Sequence, residues 1–320
     1  MTKTIIRRFL IMIPQVIVVS IIIFVLAWLM PGDALSGLID PNLTAHDMHR
    51  MREALGLNDP MPVRYVNWVT DMFQGDFGIS FQNRQPVMQL IGDRALNTVR
   101  LSALTIFLTY LICVPLGLLT GRYRETLFDK IVVIFTFMSL AMPTVILALI
   151  CLFIFGFELG WVPVLGSVDP ALSSGTWAHS LSIMHHLIMP AVVGALLNTV
   201  FLINVLRSEV IDNENSDYVI TAKSKGVPMN KIYSKHIFRN ASLPIAASLG
   251  FILLNLISGS IFVERIFGYP GMGNLFVGSI ISRDFPTANM IIMIFAVLTI
   301  ASTLVSDIIL TIVDPRLRIK

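Results

Sequence analysis

The sequence has few charged residues for its length. Asp, Glu, Lys and Arg make up 13% of its 320 residues, whereas 55% are hydrophobic. A soluble globular domain carries about 25% charged residues, so this chain cannot cover a water-facing surface of its size. The composition excludes an ordinary cytosolic enzyme and a disordered regulator, and a net charge of +3 is too small to indicate a nucleic-acid partner.

Residues that would indicate catalysis or a metal site are also scarce. The two cysteines, Cys113 and Cys151, lie in apolar runs and predict neither a disulfide nor a metal ligand. The sequence has no Gly-x-x-x-x-Gly-Lys-Ser/Thr, His-Glu-x-x-His or Gly-x-Ser-x-Gly motif. We therefore expect no catalytic residue, no metal and no cofactor on this chain.

What the chain has instead is long uncharged runs. Six stretches of at least 21 residues contain no Asp, Glu, Lys or Arg. A helix needs about 20 apolar residues to cross the hydrocarbon core of a bilayer. The runs predict six transmembrane helices, over residues 9–31, 100–121, 131–156, 187–206, 243–263 and 288–313. The first run is longer than the apolar part of a signal peptide, about 7–15 residues, so we expect an uncleaved anchor helix.

The distribution of basic residues predicts the orientation, because loops on the cytoplasmic side carry an excess of Lys and Arg. With the N-terminus inside, segments 1–8, 122–130, 207–239 and 314–320 face the cytoplasm. They hold 15 of the 23 basic residues. We therefore expect both termini in the cytoplasm.

The spans divide the chain into four parts. These are an N-terminal segment with the first span (1–31), an extracellular segment (32–99), a core with five spans (100–313) and a cytoplasmic tail (314–320). In the extracellular segment we expect helices from His46 to Leu55 and from Val63 to Phe73, with a turn at 75–78. A second extracellular segment, 157–186, is rich in Gly and Ser and is expected to be irregular.

Few ionisable side chains lie within the predicted spans. Asp307 is near the cytoplasmic end of the last one, and Asn198, Asn204 and Asn255 could line a polar path or hydrogen-bond between helices. A transporter driven by protons or ions usually buries several ionisable groups at mid-membrane. A chain with transporter topology that lacks these groups and a nucleotide site must take its energy from another polypeptide.

The loop after the fourth span, residues 207–240, contains a helical hairpin with two unlike sides. One short helix reaches Gly226, Pro228 follows, and a second short helix continues. The apolar side consists of Val219, Ala222, Ile232 and Ile237, and the basic side of Lys223, Lys225, Lys231, Lys235 and Arg239. Such a hairpin lies on anionic lipid or docks into a partner's groove. We expect this polar loop to have little room for a core of its own.

Residues 217–226, Asp-Tyr-Val-Ile-Thr-Ala-Lys-Ser-Lys-Gly, resemble the coupling-loop signature of membrane permeases of bacterial ATP-binding-cassette importers. More narrowly, the chain is similar to the peptide/nickel branch, the B-type dipeptide and oligopeptide permeases. The stretches similar to motifs of that branch are 7–33, 55–65, 75–78, 267–273 and 314–318. Ile220-Thr221-Ala222 departs from the Glu-Ala-Ala of the wider superfamily, a glutamate that the peptide branch often lacks.

The resemblance implies the type I importer permease fold, an all-α polytopic protein of the bacterial cytoplasmic membrane. It implies import of di- or oligopeptides, with nickel, opine or glutathione as alternative cargo. The implied partners are a second related permease, two ATPase subunits that use ATP and Mg²⁺, and an extracellular peptide-binding protein. The residues implied to couple to the ATPase are Asp217, Tyr218, Thr221, Ala222, Lys225 and Gly226. A stand-alone secondary transporter is the alternative from another class.

The fifth predicted span places small and polar groups where a lipid-facing helix has Leu, Ile or Phe. Phe251, Asn255 and Ser258 share one face at helical spacing, and we expect this face to line the translocation path beside a partner subunit. Close helix packing, which Gly and Ser permit, is the alternative.

Cysteines introduced singly at Asn255 and Ser258 should react with a water-soluble thiol reagent, because groups that line a path are hydrated in at least one state. ATP should change the reaction rate. A cysteine at Leu254, on a different face, should react less. If all three stay unreactive in every nucleotide state, span five is packed and the path runs elsewhere.

Overall fold

A computed structural model describes residues 2–29, 49–50, 52–53, 56, 58–248, 252 and 261–313. In this part of the chain the structure is helical, apart from turns and one isolated antiparallel bridge between Ile79 and Pro86. The named helices are α1 (Thr2–Leu29), α2 (Met61–Gln74), α3 (Val87–Arg122), α4 (Leu127–Ala141), α5 (Thr144–Cys151), α6 (Trp177–Glu214), α7 (Asp217–Ser224), α8 (Ile261–Ile266), α9 (Met272–Ile281) and α10 (Phe285–Val313). The helix expected from His46 to Leu55 lies largely outside the described residues.

Four helices of the described part, α1, α3, α6 and α10, are long and apolar enough to cross a membrane. A fifth is added if α4 and the helix from Thr144 to Glu158 form one broken span. These helices correspond to five of the six predicted spans. The remaining one, 243–263, is described mainly at its ends, where residues 243–248 and α8 are helical. A total of six spans stays a prediction.

The third predicted span, 131–156, is not one straight helix. Its two halves are bent by 107°, because Pro143 interrupts the helix. Met142 has an extended backbone, with φ −89° and ψ 122°, as the residue before a proline prefers. The second half ends in a π-helical turn, Leu152–Glu158.

The expected irregular segment 157–186 is also shorter than predicted. Helix α6 begins at Trp177, and the Thr176 hydroxyl accepts the His179 N–H at 3.2 Å as an N-cap. The predicted span, 187–206, covers only part of this helix. A helix satisfies its own backbone hydrogen bonds, so it can continue beyond that part in either direction.

Helices α3 and α6 form the centre of the fold, and they pack in parallel through glycines. A Cβ atom added to Gly117 would lie 2.8 Å from Cβ of Leu206, and one added to Gly121 would lie 2.6 Å from Cβ of Val210. Gly117 and Gly121 form a Gly-x-x-x-Gly pattern, which lets helix backbones approach closely. Nearer the N-terminal ends of the two helices, a Cβ atom added to Gly194 of α6 would lie 3.1 Å from Cγ2 of Thr105 in α3.

The segment between α1 and α3 contains the predicted second helix. It is observed as α2, and Gly75 ends it with φ +83°. Tyr65 of α2 contacts α1 in two ways: its hydroxyl lies 2.8 Å from that of Ser20, and its ring meets Phe24 edge-on with centroids 5.5 Å apart. Aromatic packing therefore holds α2 against the end of α1.

The turn before α3 is joined to the start of α10 by one buried carboxylate. Asp284 accepts hydrogen bonds from the Ser80 hydroxyl, from the Phe81 N–H at 3.0 Å and from the Thr287 hydroxyl at 2.8 Å. Ser80 and Asp284 are both buried. This part of the predicted extracellular segment is thus anchored on the transmembrane core rather than being a free loop.

Replacing Gly121 by alanine should destabilise the protein. The new methyl group would overlap Val210 and would lie 3.1 Å from the backbone oxygen of Arg207, so α3 and α6 would have to separate. Overpacking of this kind costs roughly 1–3 kcal/mol. We expect a lower thermal unfolding temperature of the purified protein and a lower level in the membrane.

The matched control is Gly92→Ala in the same helix. A Cβ atom at Gly92 meets no atom within 4 Å, and alanine is the better helix former by about 1 kcal/mol. This variant should be as stable as the wild type or more so. Equal unfolding temperatures for the Gly121 and Gly92 variants would show that the α3–α6 contact tolerates separation.

Candidate functional site

The helical hairpin of loop 207–240 is packed against the rest of the protein. Val219, Ile232 and Ile237 are buried, Ala222 is 6% exposed, and all belong to one apolar cluster with Leu206 and Val210 of α6. Loop 207–240 was expected to have little room for a core of its own, and its apolar side chains indeed pack on α3 and α6. The core is supplied by the ends of α3 and α6, which continue past the apolar runs. The apolar side of the hairpin is consequently unavailable to lipid or to a partner.

Gly226 ends α7 in a complete Schellman motif. The Val227 N–H donates to the Ala222 carbonyl at 3.1 Å, and the Gly226 N–H donates to the Lys223 carbonyl at 3.0 Å. Gly226 has φ +71°, a conformation that costs other L-residues about 1–2 kcal/mol. Val227 packs against the apolar cluster that contains Ala222. The predicted glycine stop is confirmed.

The six residues predicted to couple to an ATPase have different environments. Asp217, Thr221, Lys225 and Gly226 are exposed, whereas Ala222 is buried. The Tyr218 hydroxyl donates to Asn213 Oδ1 at 2.8 Å, so this ring ties α7 back to the end of α6. The exposed members are available to touch a partner, whereas the buried Ala222 and the hydrogen bond of Tyr218 hold α7 in place.

Ile220 is a surface residue that sequence reasoning did not select. It is 53% exposed on the same side of α7 as Asp217 and Thr221. Residues three and four apart share a helix face, so the buried positions Val219 and Ala222 predict that Ile220 points away from the core.

Tyr233 is a second support that the sequence did not reveal. Its hydroxyl donates to Glu214 Oε1 at 2.9 Å, and the Arg122 guanidinium lies over its ring at 5.1 Å from the centroid. Burial raises the pKa of Tyr233 to about 12, and the hydrogen bond to Glu214 acts in the same direction. The phenol therefore stays protonated, and it joins the hairpin to the ends of α3 and α6.

An ion pair fixes the nearby start of α4. Arg207 of α6 donates from Nε and a terminal nitrogen to the two oxygens of Asp129, at 2.7 and 2.8 Å. Asp129 Oδ2 also accepts the N–H of Glu125 at 2.8 Å. Paired, two-point Arg–carboxylate contacts are the strong and directional ones, so α4 is held on α6 beside the hairpin.

The residues predicted to line the path, Phe251, Asn255 and Ser258, lie outside the described residues. The side chain of Asp307 is likewise outside them. Asn198 and Asn204 have structural partners: their amides donate to the carbonyls of Gly194 at 2.8 Å and Val200 at 3.1 Å, each one turn earlier in α6.

A buried carboxylate organises the turn after α8. Glu264, just beyond the fifth predicted span, is 0% exposed. Its Oε1 accepts the hydroxyl of Thr98 at 2.8 Å, and its Oε2 accepts the N–H of Asn274 at 3.0 Å. Thr98 in turn accepts the Met272 N–H at 2.8 Å. Glu264 thus joins α3, α8 and the first turn of α9, where a carboxylate also favours the helix dipole.

Close contacts with α8 explain two glycines in the 267–273 stretch. A Cβ atom at Gly271 would lie 2.4 Å from the Glu264 carboxylate, and one at Gly273 would lie 2.8 Å from Cα of Ile261. Gly271 has φ −103°, which any residue can adopt, so space and not backbone conformation requires a glycine there. The turn is also tied to α3 by Asn97, whose amide donates to the Pro270 carbonyl at 3.0 Å.

The fold defines the class: an all-helical protein, in its described residues, with four or five helices that can cross a membrane. Residues 113–319 match the family of binding-protein-dependent transport system inner membrane components, and residues 1–102 match the N-terminal family of such membrane components. The chain belongs to this family. It is a multi-pass protein of the cytoplasmic membrane.

Relatives that align over nearly the full length of the chain are named as peptide transport permeases. The chain is 37% identical over 318 residues to the oligopeptide transport system permease protein AppB of Bacillus subtilis (strain 168), covering 99% of both chains. It is 34% identical over 318 residues to a putative peptide transport system permease of Brucella abortus (strain 2308), with the same coverage. A probable peptide ABC transporter permease of Sinorhizobium fredii is 30% identical over 314 residues, 98% of each chain.

Replacing Gly271 by alanine should destabilise the turn after α8, because the methyl group would occupy the place of the Glu264 carboxylate. Displacing that carboxylate from Thr98 and Asn274 leaves buried donors unpaired, at about 1–3 kcal/mol. We expect a lower thermal unfolding temperature than for Gly278→Ala in α9, where a Cβ atom meets nothing within 4 Å. If the Gly271 variant unfolds at the same temperature as the Gly278 variant, the carboxylate is not fixed in this position.

Proposed function

We propose that this chain is a transmembrane permease subunit of an ATP-driven importer that moves di- and oligopeptides into the cell. The observation that carries the proposal is the packing of the hairpin in loop 207–240. Its buried side is fixed on α3 and α6, while Asp217, Ile220 and Thr221 are exposed. Membership of the family supports an import role, and the names of the relatives support peptides as cargo. Nickel, opine and glutathione are the alternative cargo, with the selection made by a separate receptor.

In the proposed topology the chain crosses the membrane six times and has both termini in the cytoplasm. The basic residues support this orientation, since 15 of 23 lie in the four segments placed inside. The hairpin then projects into the cytoplasm, where a soluble ATPase can reach its exposed side.

The packing of the hairpin determines how force would pass through it. Tyr218, Tyr233 and the buried apolar residues tie α7 to the ends of α3 and α6. A partner that displaces α7 would therefore move these two helices rather than bend the loop. In the proposed cycle, two ATPase subunits close on ATP and Mg²⁺ and shift this permease and a second one between inward-open and outward-open states.

The remaining parts of the cycle belong to other chains. An extracellular peptide-binding protein delivers the cargo, and the two permeases enclose the path, to which this chain contributes Phe251, Asn255 and Ser258. This chain binds no nucleotide or cofactor and makes no covalent bond. Coupling is therefore a matter of contact at the exposed residues of α7.

Gly226→Val should abolish peptide uptake while the chain stays in the membrane. A β-branched residue is strained at φ +71°, so the end of α7 and its exposed side would change shape. Gly226→Asn should retain most uptake, because asparagine tolerates this conformation. The measurements are uptake of a labelled peptide, ATPase activity of the assembled complex and the abundance of the chain.

Gly175→Val is the matched control. Gly175 has φ +84° and open space around its Cβ position, so the backbone cost is similar, but it lies in the segment between α5 and α6, which we place outside the cell. This variant should transport normally at equal abundance. Normal uptake by Gly226→Val, or equal losses in both variants, would contradict a coupling role for α7.

A further inference from the structure

A cleft of about 360 Å³ lies between α1 and α10. Its apolar walls are Ile11 and Met12 of α1 and Ile300 and Leu304 of α10. Three polar side chains, Arg7, Gln15 and Thr303, complete the lining. Among the described residues, the lining contains one cation and two neutral polar groups, which suits an anion with an apolar part.

Two of the polar groups make no hydrogen bond to a described residue. Within the described part of the chain, the side chains of Gln15 and Thr303 make no hydrogen bond. Gln15 also interrupts a long apolar run, residues 9–29. The hydroxyl of Ser20 in the same run has hydrogen-bond partners, Ile17 and Tyr65. An amide at this depth is costly unless something satisfies it, and oxygen acceptors in the cleft would do so.

The position of the cleft fits the inner leaflet of the membrane. Arg7 lies at the start of the first span, which we place at the cytoplasmic surface, and Gln15 lies deeper along α1. The side of α1 next to this level is apolar and exposed, with Ile6, Phe9 and Leu10 each more than half exposed. A lipid has the same order of groups: a phosphate at the surface, ester oxygens below it and then acyl chains.

We propose that this cleft binds an anionic phospholipid of the inner leaflet. Arg7 pairs with the phosphate, Gln15 donates to an ester oxygen, and an acyl chain lies between α1 and α10 against Leu304. Basic pockets between transmembrane helices on the cytoplasmic side bind anionic headgroups by this combination of charge and shape. The proposal rests on the inside-N topology given above, and it adds a lipid site to the permease.

Native mass spectrometry of the full-length protein, titrated with phosphatidylglycerol or with phosphatidylcholine of the same acyl chains, tests the proposal. The wild type should retain phosphatidylglycerol preferentially. Arg7→Gln should weaken phosphatidylglycerol binding by about fivefold, the contribution of one basic residue near the surface. Lys130→Gln removes a charge that we place at the same surface but away from the cleft, and it should change nothing.

A second variant tests the apolar half of the site. Leu304→Trp fills the cleft without changing the charge, and it should reduce retention of both lipids. Inorganic phosphate should not displace the bound lipid, because it lacks the acyl chain. Phosphatidylglycerol retention that is unchanged by both Arg7→Gln and Leu304→Trp, or equal retention of the two lipids by the wild type, would overturn the proposal. Since no transport is measured, this outcome is independent of the role in peptide import.

Discussion

The close contact between α3 and α6 is the constraint on which the rest of the described structure depends. Gly117 and Gly121 bring the α3 backbone against Leu206 and Val210, so the two helices form one parallel pair. The hydrophobic effect does not drive helix association inside a bilayer, so close packing through small residues stabilises the pair instead. The pair also extends beyond the apolar runs at both ends, where it carries the two polar sites.

Each end of this pair holds a different structure in place. At one end, Thr98 of α3 positions Glu264 and with it the turn between α8 and α9. At the other end, Arg122 of α3 and Glu214 of α6 hold Tyr233 of the hairpin. A displacement at the hairpin is therefore applied to the same rigid pair that supports the turn after α8. This arrangement gives the proposed coupling a physical route, through packed helices rather than through a flexible loop.

Much of the local structure could be predicted from the sequence. The second helix of the first loop, the glycine stop at Gly226 and the apolar side of the hairpin are all observed. They depend on residues within one or two turns of each other, so their spacing carries the necessary information. Pro143 is a sequence signal for the break in the third span, since proline disfavours a helical conformation in the residue before it. The uncharged run around it is long enough for one span, so a single helix was predicted there.

The sequence by itself therefore determined the class of protein and the polarity of each segment, because uncharged runs and clusters of basic residues are properties of neighbours along the chain. Only the tertiary structure decided which residues share a site. Gly121 lies against Val210, Gly271 lies against the carboxylate of Glu264, and the Ser80 hydroxyl donates to Asp284. The carboxylates of Glu264 and Asp284 are enclosed with donors from distant segments of the chain. Such pairings depend on how the helices pack, and no local pattern of hydrophobicity or charge encodes them.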